Sequence, residues 1–401
     1  MNKCFYLLML LALVSFAAEA QQTPSAPMTS FKRGMEVVAP DSIFSINFRF
    51  RMQNRAVYNS VSGSDLSASE LEARVRRLRL RFEGFMYHPK LTYLIQLSFS
   101  RGDMDWSVRH NSPINESPNV VRDAVVFYRP NRNLILIFGQ TKLPGNRQRV
   151  ISSGDQQFID RSIVNVLYNI DRDFGFQFHY LNNIGRFHYI LKGALTGGDG
   201  RNVNFTNPGL SYTGRLELLP LGNFTNMGDL FEGDLAREES PKIALAGGYN
   251  FNERARRTGG QIGLDLFEER DIHTYIFDAL LKYRGFAFYT EFMHRNVNDP
   301  VTYNPEGQAR HIITGNGKLF QMSYLFKNDF EVAGRFASAD PGEDVSLFAF
   351  AEDVYTAGVT RYIRNHRLKV QANVSFHNQT GALAEHMRNF WSAGVQMELG
   401  I

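Results

Sequence analysis

Arg77, Arg79 and Arg81 alternate with Leu78, Leu80 and Phe82 in the stretch RRLRLRF. A guanidinium is a planar fork that holds carboxylate or phosphate oxygens in pairs, so arginines repeated along one line would offer an oxyanion successive sites. Such a line exists only if the segment is a strand. At a period of two, the cations share one face and the apolar residues the other, whereas about 100° per residue on a helix would scatter them around the axis. A helical arginine patch for nucleic acid is the weaker reading. Upstream, Arg49 and Arg51 keep the same beat against Phe48 and Phe50.

The elements that would carry these side chains recur along the chain. The two-residue beat returns in Leu91 to Phe99, Ala124 to Tyr128, Phe174 to Tyr180, Leu368 to Phe376 and Trp391 to Ile401. The chain has 33 Phe and 17 Tyr against 2 Trp in 401 residues. Beyond Gln21 no window offers the roughly eighteen apolar residues of a membrane helix, so the hydrophobicity lies in alternation. Two-sheet sandwiches also alternate, and connection lengths separate the cases. Short connections at 88–90, 130–132, 284–285, 327–329 and 364–366 alternate with long ones at 54–73, 101–121, 142–172, 196–209, 251–273, 296–317, 338–352 and 378–388. Long loops on one side and short turns on the other mark an outer-membrane barrel. One long segment, 219–241, falls on the short-turn side. The expected fold is therefore all-β: a transmembrane antiparallel β-barrel of 16 strands, with external loops and periplasmic turns, provided 261–267 is loop. Tyr128, Tyr180, Tyr283 and Phe326, each near a short turn on the apolar parity, would form the periplasmic aromatic belt.

Residues 1–20 read as a signal peptide: Lys3 is followed by the apolar run Phe5 to Ala18, and Ala18-Glu19-Ala20 fits a cleavage site. Residues 21–41 read as a periplasmic lead-in and 42–401 as the barrel, in the outer membrane of a Gram-negative bacterium. Cleavage would remove Cys4, the only cysteine, and with it any disulfide framework. The net charge of +4 says little about partners.

Arginines on a lipid face near mid-membrane cost about 2–4 kcal/mol each, which forces Leu78, Leu80 and Phe82 toward lipid and the arginines toward the lumen. By the same parity Glu83, Asp123, Glu217, Asp278, Glu291, Glu331 and Glu398 face inward, so Glu83 alone opposes Arg49, Arg51, Arg77, Arg79 and Arg81 on the first two strands. Such a cluster would focus an anion-attracting field; alternatively, inward charges pair across strands and stiffen the wall. The segment 142–172 carries Lys142, Arg147, Arg149, Arg161, Arg172 and the apolar run Ile163 to Leu167. It is expected to fold into the lumen and narrow it. An external flap and a contact with a neighbouring subunit are the alternatives.

The stretches SINFRFRMQNRAVYN, RRLRLRFEGFMYHPKLTYLIQLSFSRGD, FGQTKLPG, QFIDRS, DRDFGFQ and LKYRGFAFYTEF resemble the phosphate-selective porin O and P family. The resemblance implies a sixteen-stranded, usually trimeric outer-membrane porin whose third external loop folds inward beside an arginine-lined route for anions. Through the matching motifs it singles out Arg77, Arg79 and Arg81 on the strand and Lys142, Arg161 and Arg172 around the loop. The chain departs from the family pattern at Thr141 and Gly145, where aromatics are common, and in ending on Ile401. The expected function is a water-filled channel for small anionic solutes such as phosphate or polyphosphate, formed as a homotrimer in contact with outer-membrane lipid. A general diffusion porin, an attachment barrel and a lipid hydrolase are the alternatives. The ten histidines are dispersed, no His-x-x-x-His occurs, and the TGGDG loop lacks the spaced acids of a calcium site. No enzyme activity, metal or cofactor is expected.

Overall fold

The computed structural model describes residues 28–30, 34–40, 43–100, 120–203, 208–383 and 387–401. The expected signal peptide, much of the 21–41 lead-in and most of loop 101–121 lie outside the described residues. Eight strands form the first half of the wall: β1 (Ser45–Ser60), β2 (Ala68–Met86), β3 (His88–Ser98), β4 (Val121–Tyr128), β5 (Leu134–Lys142), β6 (Arg172–Ile184), β7 (Phe187–Thr196) and β8 (Ser211–Leu219). The second half comprises β9 (Lys242–Arg257), β10 (Asp265–Tyr283), β11 (Phe286–Val297), β12 (Gly315–Leu325), β13 (Phe330–Pro341), β14 (Ala351–Tyr362), β15 (Leu368–Thr380) and β16 (Arg388–Gly400). Each pairs antiparallel with its sequence neighbours, and β16 returns to β1 from Ser392↔Asn59 to Gly400↔Arg51. The sheet closes on itself, which leaves the barrel strands no free edge and satisfies the backbone inside a bilayer.

Alternation places the side chains as expected. On β6, Phe174, Phe176, Phe178 and Tyr180 are exposed on the outer wall, while Asp173 and Gln177 are buried inside. Reversals on one rim are tight. Arg284 and Gly285 both take positive φ, the geometry of a two-residue hairpin whose twist matches its strands. A further tight reversal at 185–186 was not expected, and the one expected at 88–90 centres on Tyr87, with His88 already in β3.

Several loops are shorter than their sequence suggests. Strands β1 and β2 extend to a connection at 61–67 rather than 54–73, and β9 and β10 to 258–264 rather than 251–273. The added stretches of strand mix polar and apolar residues on each face and are held by pairs such as Arg55 with Glu72 and Asn59 with Glu70, so no clean two-residue beat announces them. The segment 261–267 divides, with Asp265 to Phe267 opening β10 and the rest in the turn, and the barrel keeps sixteen strands. Within β2 a bulge shifts the register between Gln53↔Arg77 and Asn54↔Val75, leaving Arg76 as the extra residue.

The principal apolar core lies inside the barrel. Leu143, Val164, Tyr168 and Ile170 from segment 143–171 pack on Ile276, Met293, Leu319 and Ala337 of the wall. The segment includes two short helices, α1 (Arg147–Val150) and α2 (Ile163–Tyr168), the latter capped by the Ser162 hydroxyl accepting from the Asn165 N–H.

Candidate functional site

The register of β1 and β2 sets Arg49 opposite Arg81, Arg51 opposite Arg79 and Gln53 opposite Arg77. Like charges directly opposed repel, so acceptors must separate them. Glu83 accepts from Arg49 at 3.3 Å and from Arg81 Nε at 2.9 Å. Glu398 on β16 stands 3.5 Å from Arg51 and accepts from Gln53 at 2.8 Å. The loop supplies the rest: Ser152 and Ser153 accept from Arg51 at 2.9 and 2.8 Å, and Ser153 also accepts from Arg79 at 3.1 Å. The first two strands therefore do not lack counter-charges, as parity had suggested; barrel closure brings Glu398 beside them across more than three hundred residues.

The ladder is open at one end and covered at the other. The Arg49 and Arg81 side chains are 36% and 37% exposed. Arg77 and Arg79, expected to stand in lumenal water, are only 5% and 8% exposed because the loop lies over them. Above them the bulge turns Arg76 inward beside Arg77, and both face Asp160 of the loop at 3.7 and 4.0 Å, with Arg55 in direct contact with the same carboxylate. Partial burial opposes ionisation of Asp160, and the Arg55, Arg76 and Arg77 guanidiniums outweigh it, holding the carboxyl below its ordinary range. Sequence reading missed both additional arginines. Arg55 continues the parity of Arg49 and Arg51, a signal available once β1 is extended; Arg76 depends on the bulge and had none.

The cations of the loop hold it in place. Lys142 Nζ donates to the carbonyls of Val150 at 2.6 Å and Ile151 at 3.4 Å, and Arg161 donates to those of Gln148 at 2.8 Å and Ile151 at 2.9 Å. Burial and the nearby Arg149 and Arg77 disfavour the charge on Arg161 and lower its pKa, and Glu232 and Asp171 oppose them only in part. Arg147 crosses to Asp278 on β10 at 2.6 Å. Burial works against its charge, but Asp278 and Glu217 keep it firmly protonated. Arg149 reaches Asp171 at 2.8 Å, and Arg172 grips Asp123 through two nitrogens at 2.9 and 3.1 Å. Burial raises the Asp171 carboxyl, yet Arg149 and Arg172 pull it well below the carboxylate range.

The loop spans the lumen from wall to wall. Gln157 reaches Ser323 and Glu331, the Gln156 carbonyl accepts from Lys369 at 2.6 Å, and Tyr168 donates to the Thr314 carbonyl at 3.2 Å. Where its large side chains land, the wall is bare. Gly317 lies under Val164 and Tyr168, Gly358 under Phe158, and Gly394 under Ile159. The departures from the family pattern also fit locally: Thr141 donates to Asp123 at 3.0 Å, and a Cβ on Gly145 would stand 2.9 Å from Ile170.

The long segment on the short-turn rim, 220–241, turns back into the barrel. Lys282 donates to the carbonyls of Gly228 and Phe231 at 2.6 and 2.8 Å, anchoring it to β10. Its Glu232 meets the loop: the Glu232 N–H donates to the Asp155 carbonyl at 2.9 Å, and its carboxylate accepts from the Gln157 N–H at 2.9 Å and from Gln321 at 3.1 Å. Lys282 and Lys369 are fully buried beneath these insertions, in contrast to Arg49 and Arg81. Among the described residues no group of three His, Cys, Asp or Glu is placed to hold a metal ion.

None of the curated proteins compared matches the sequence. Solved structures are similar in fold. They include an anion-selective porin from Comamonas acidovorans (12% identity, 89% of this chain and 100% of that one, TM-score 0.54). OprB of Pseudomonas putida is another (9% identity, 89% and 94%, TM-score 0.56). A third is OmpT of Vibrio cholerae in trimer form (10% identity, 88% and 99%, TM-score 0.50). Residues 46–226 match the family model described as phosphate-selective porin O and P. The fold is that of the outer-membrane porins, and the match to phosphate-selective porin O and P falls on the first eight strands of a barrel that the second half of the chain closes.

Proposed function

We propose that this protein is a passive channel for small oxyanions, phosphate among them, and not an enzyme. The observation that carries the reading is the partly exposed pair Arg49 and Arg81, which face the lumen beside the covered Arg77 and Arg79. Hydrated guanidiniums bind an anion weakly enough to pass it on, as conduction requires, while the low-dielectric wall concentrates their field. The family description and the anion selectivity named for the Comamonas porin support the choice of anion. Segment 142–172 is the constriction, residues 1–20 direct export and are removed, 21–41 lead into the barrel, and three copies assemble.

The test is the reversal potential of the purified protein in a planar bilayer across a tenfold KCl gradient. The expected value lies on the anion side, and Arg49→Gln with Arg81→Gln moves it toward zero. A cation-side value for the unmodified protein refutes the reading. Glu83, shared by both arginines, favours a second reading, a general diffusion porin, which a value near zero would support.

A further inference from the structure

We infer that Asp160 is a built-in counter-anion, which a permeating oxyanion displaces from Arg55, Arg76 and Arg77 and which returns to expel it. The inference rests on the oxyanion-channel reading and adds how the channel releases what it binds.

Exposure within the cluster is one-sided. The Asp160 side chain is 40% exposed, whereas those of Arg55, Arg76 and Arg77 are 8%, 19% and 6% exposed. A solute in the lumen therefore meets the carboxylate before the guanidiniums. Other nitrogens of Arg55 are already taken by Glu72 of the neighbouring β2, at 2.8 Å. The place Asp160 occupies is the one an incoming oxyanion would need, and carboxylate and phosphate oxygens suit the same guanidinium forks.

The backbone of Asp160 is fixed independently of its side chain. Its carbonyl accepts from Arg335 at 2.9 Å, the preceding Ile159 N–H donates to Asn373 at 3.4 Å, and the Ile159 side chain sits against Gly394. Rotation about the Asp160 side chain can thus free the arginines without moving the loop. The Arg76 Nε, buried and without a hydrogen-bond partner among the described residues, leaves donor capacity for a ligand with more acceptor oxygens than one carboxylate. A tethered competitor lowers net affinity and shortens the residence of each bound ion, which keeps a three-arginine site conductive.

The experiment measures block of chloride current by inorganic phosphate in single channels, with the full-length protein assembled in bilayers. Asp160→Asn removes both the competitor and a charge; Glu72→Gln removes a charge from the other nitrogens of Arg55. Removing the competitor is expected to lower the half-blocking phosphate concentration about tenfold and lengthen each block, while Glu72→Gln shifts it less than about threefold. Asp160→Glu, which restores a carboxylate, is expected to stay within about threefold of the unmodified channel. Equal shifts in Asp160→Asn and Glu72→Gln would reduce Asp160 to a background charge and overturn the inference. So would an unchanged block in Asp160→Asn channels of normal anion selectivity. If the unmodified channel is not anion-selective, the oxyanion reading fails first and the inference falls with it.

Discussion

Gly317 on β12 faces Val164 of α2 so closely that a Cβ at this position would stand 2.6 Å from the Val164 Cγ1 and 2.9 Å from the Tyr168 ring. The inserted loop depends on such bare patches of wall. Gly317→Leu is expected to displace α2, at about 1–3 kcal/mol of overpacking, and to raise single-channel conductance severalfold while the barrel assembles. Unchanged conductance in an assembled variant would show that α2 does not narrow the path.

Position along the arginine ladder decides how much each charge is felt. Arg81→Glu places its new charge in open lumen, whereas Arg79→Glu places it under Ser153. The reversal potential should move further toward the cation side for Arg81→Glu, and the difference should shrink with salt as the Debye length falls below about 8 Å. A larger effect from Arg79→Glu would put the permeation route on the other side of the loop.

Orientation follows from connection length. Gly307, at the tip of a hairpin whose strands are Val301–Tyr303 and Ala309–His311, has open space around it, and Pro130 lies in a tight reversal. An epitope inserted after Gly307 should be labelled on intact cells and one after Pro130 only after permeabilisation. The reverse pattern would invert the barrel in the membrane.

The loop lock should outlast mild acid. Asp171 faces Arg149 in the loop, Arg172 on β6, Arg122 on β4 and Arg201 beyond β7, and its carboxyl is depressed by them against the effect of burial. A depressed folded-state value means the stabilisation is fully present above the unfolded value of about 3.9 and is lost as pH falls through the folded value. Conductance should therefore be flat from about pH 8 to 5 and rise only below about pH 4. Asp171→Asn should give the higher conductance throughout. A midpoint near neutrality would implicate a different group.

Glu232 joins the two insertions, so its loss should loosen both. Glu232→Ala leaves the Gln157 N–H without its side-chain acceptor and the Gln321 amide with Gln157 Oε1 in place of two acceptors, at about 1–3 kcal/mol. Limited proteolysis should then cut within 220–241, which the unmodified protein resists. Equal resistance in the variant would mean that the bonds of Lys282, Arg237 and Asp234 suffice to hold the segment.

These relationships were unequally legible in the sequence. Phe174 to Tyr180 could be read directly, since lipid on one side and a polar interior on the other impose the two-residue beat. Arg284–Gly285 was legible because so short a connection between strands leaves only a tight turn. The partner of Arg51 was not, because Glu398 reaches it only through the closure of β16 on β1. Arg76 lay on the wrong parity until a bulge turned it inward. Segment 220–241 stood out by length, but nothing in its composition said that Phe231 and Glu232 would point back into the barrel. The cations of 142–172 were found by type, yet only their carbonyl and carboxylate partners distinguish fastening from lining.

The seam between β1 and β16 also sets an order of assembly. Arg51 and Gln53, near the start of the wall, share Glu398, near its end, and the loop rests on this junction through Ser152, Ser153 and Gly154. The loop's seat on that side does not exist until β16 has been made and paired with β1. Sequence separation of this size makes closure slow relative to forming the local hairpins. The interior of the nascent barrel therefore stays loosely filled until the ends meet, and its final fastening is an event of completion, not of elongation.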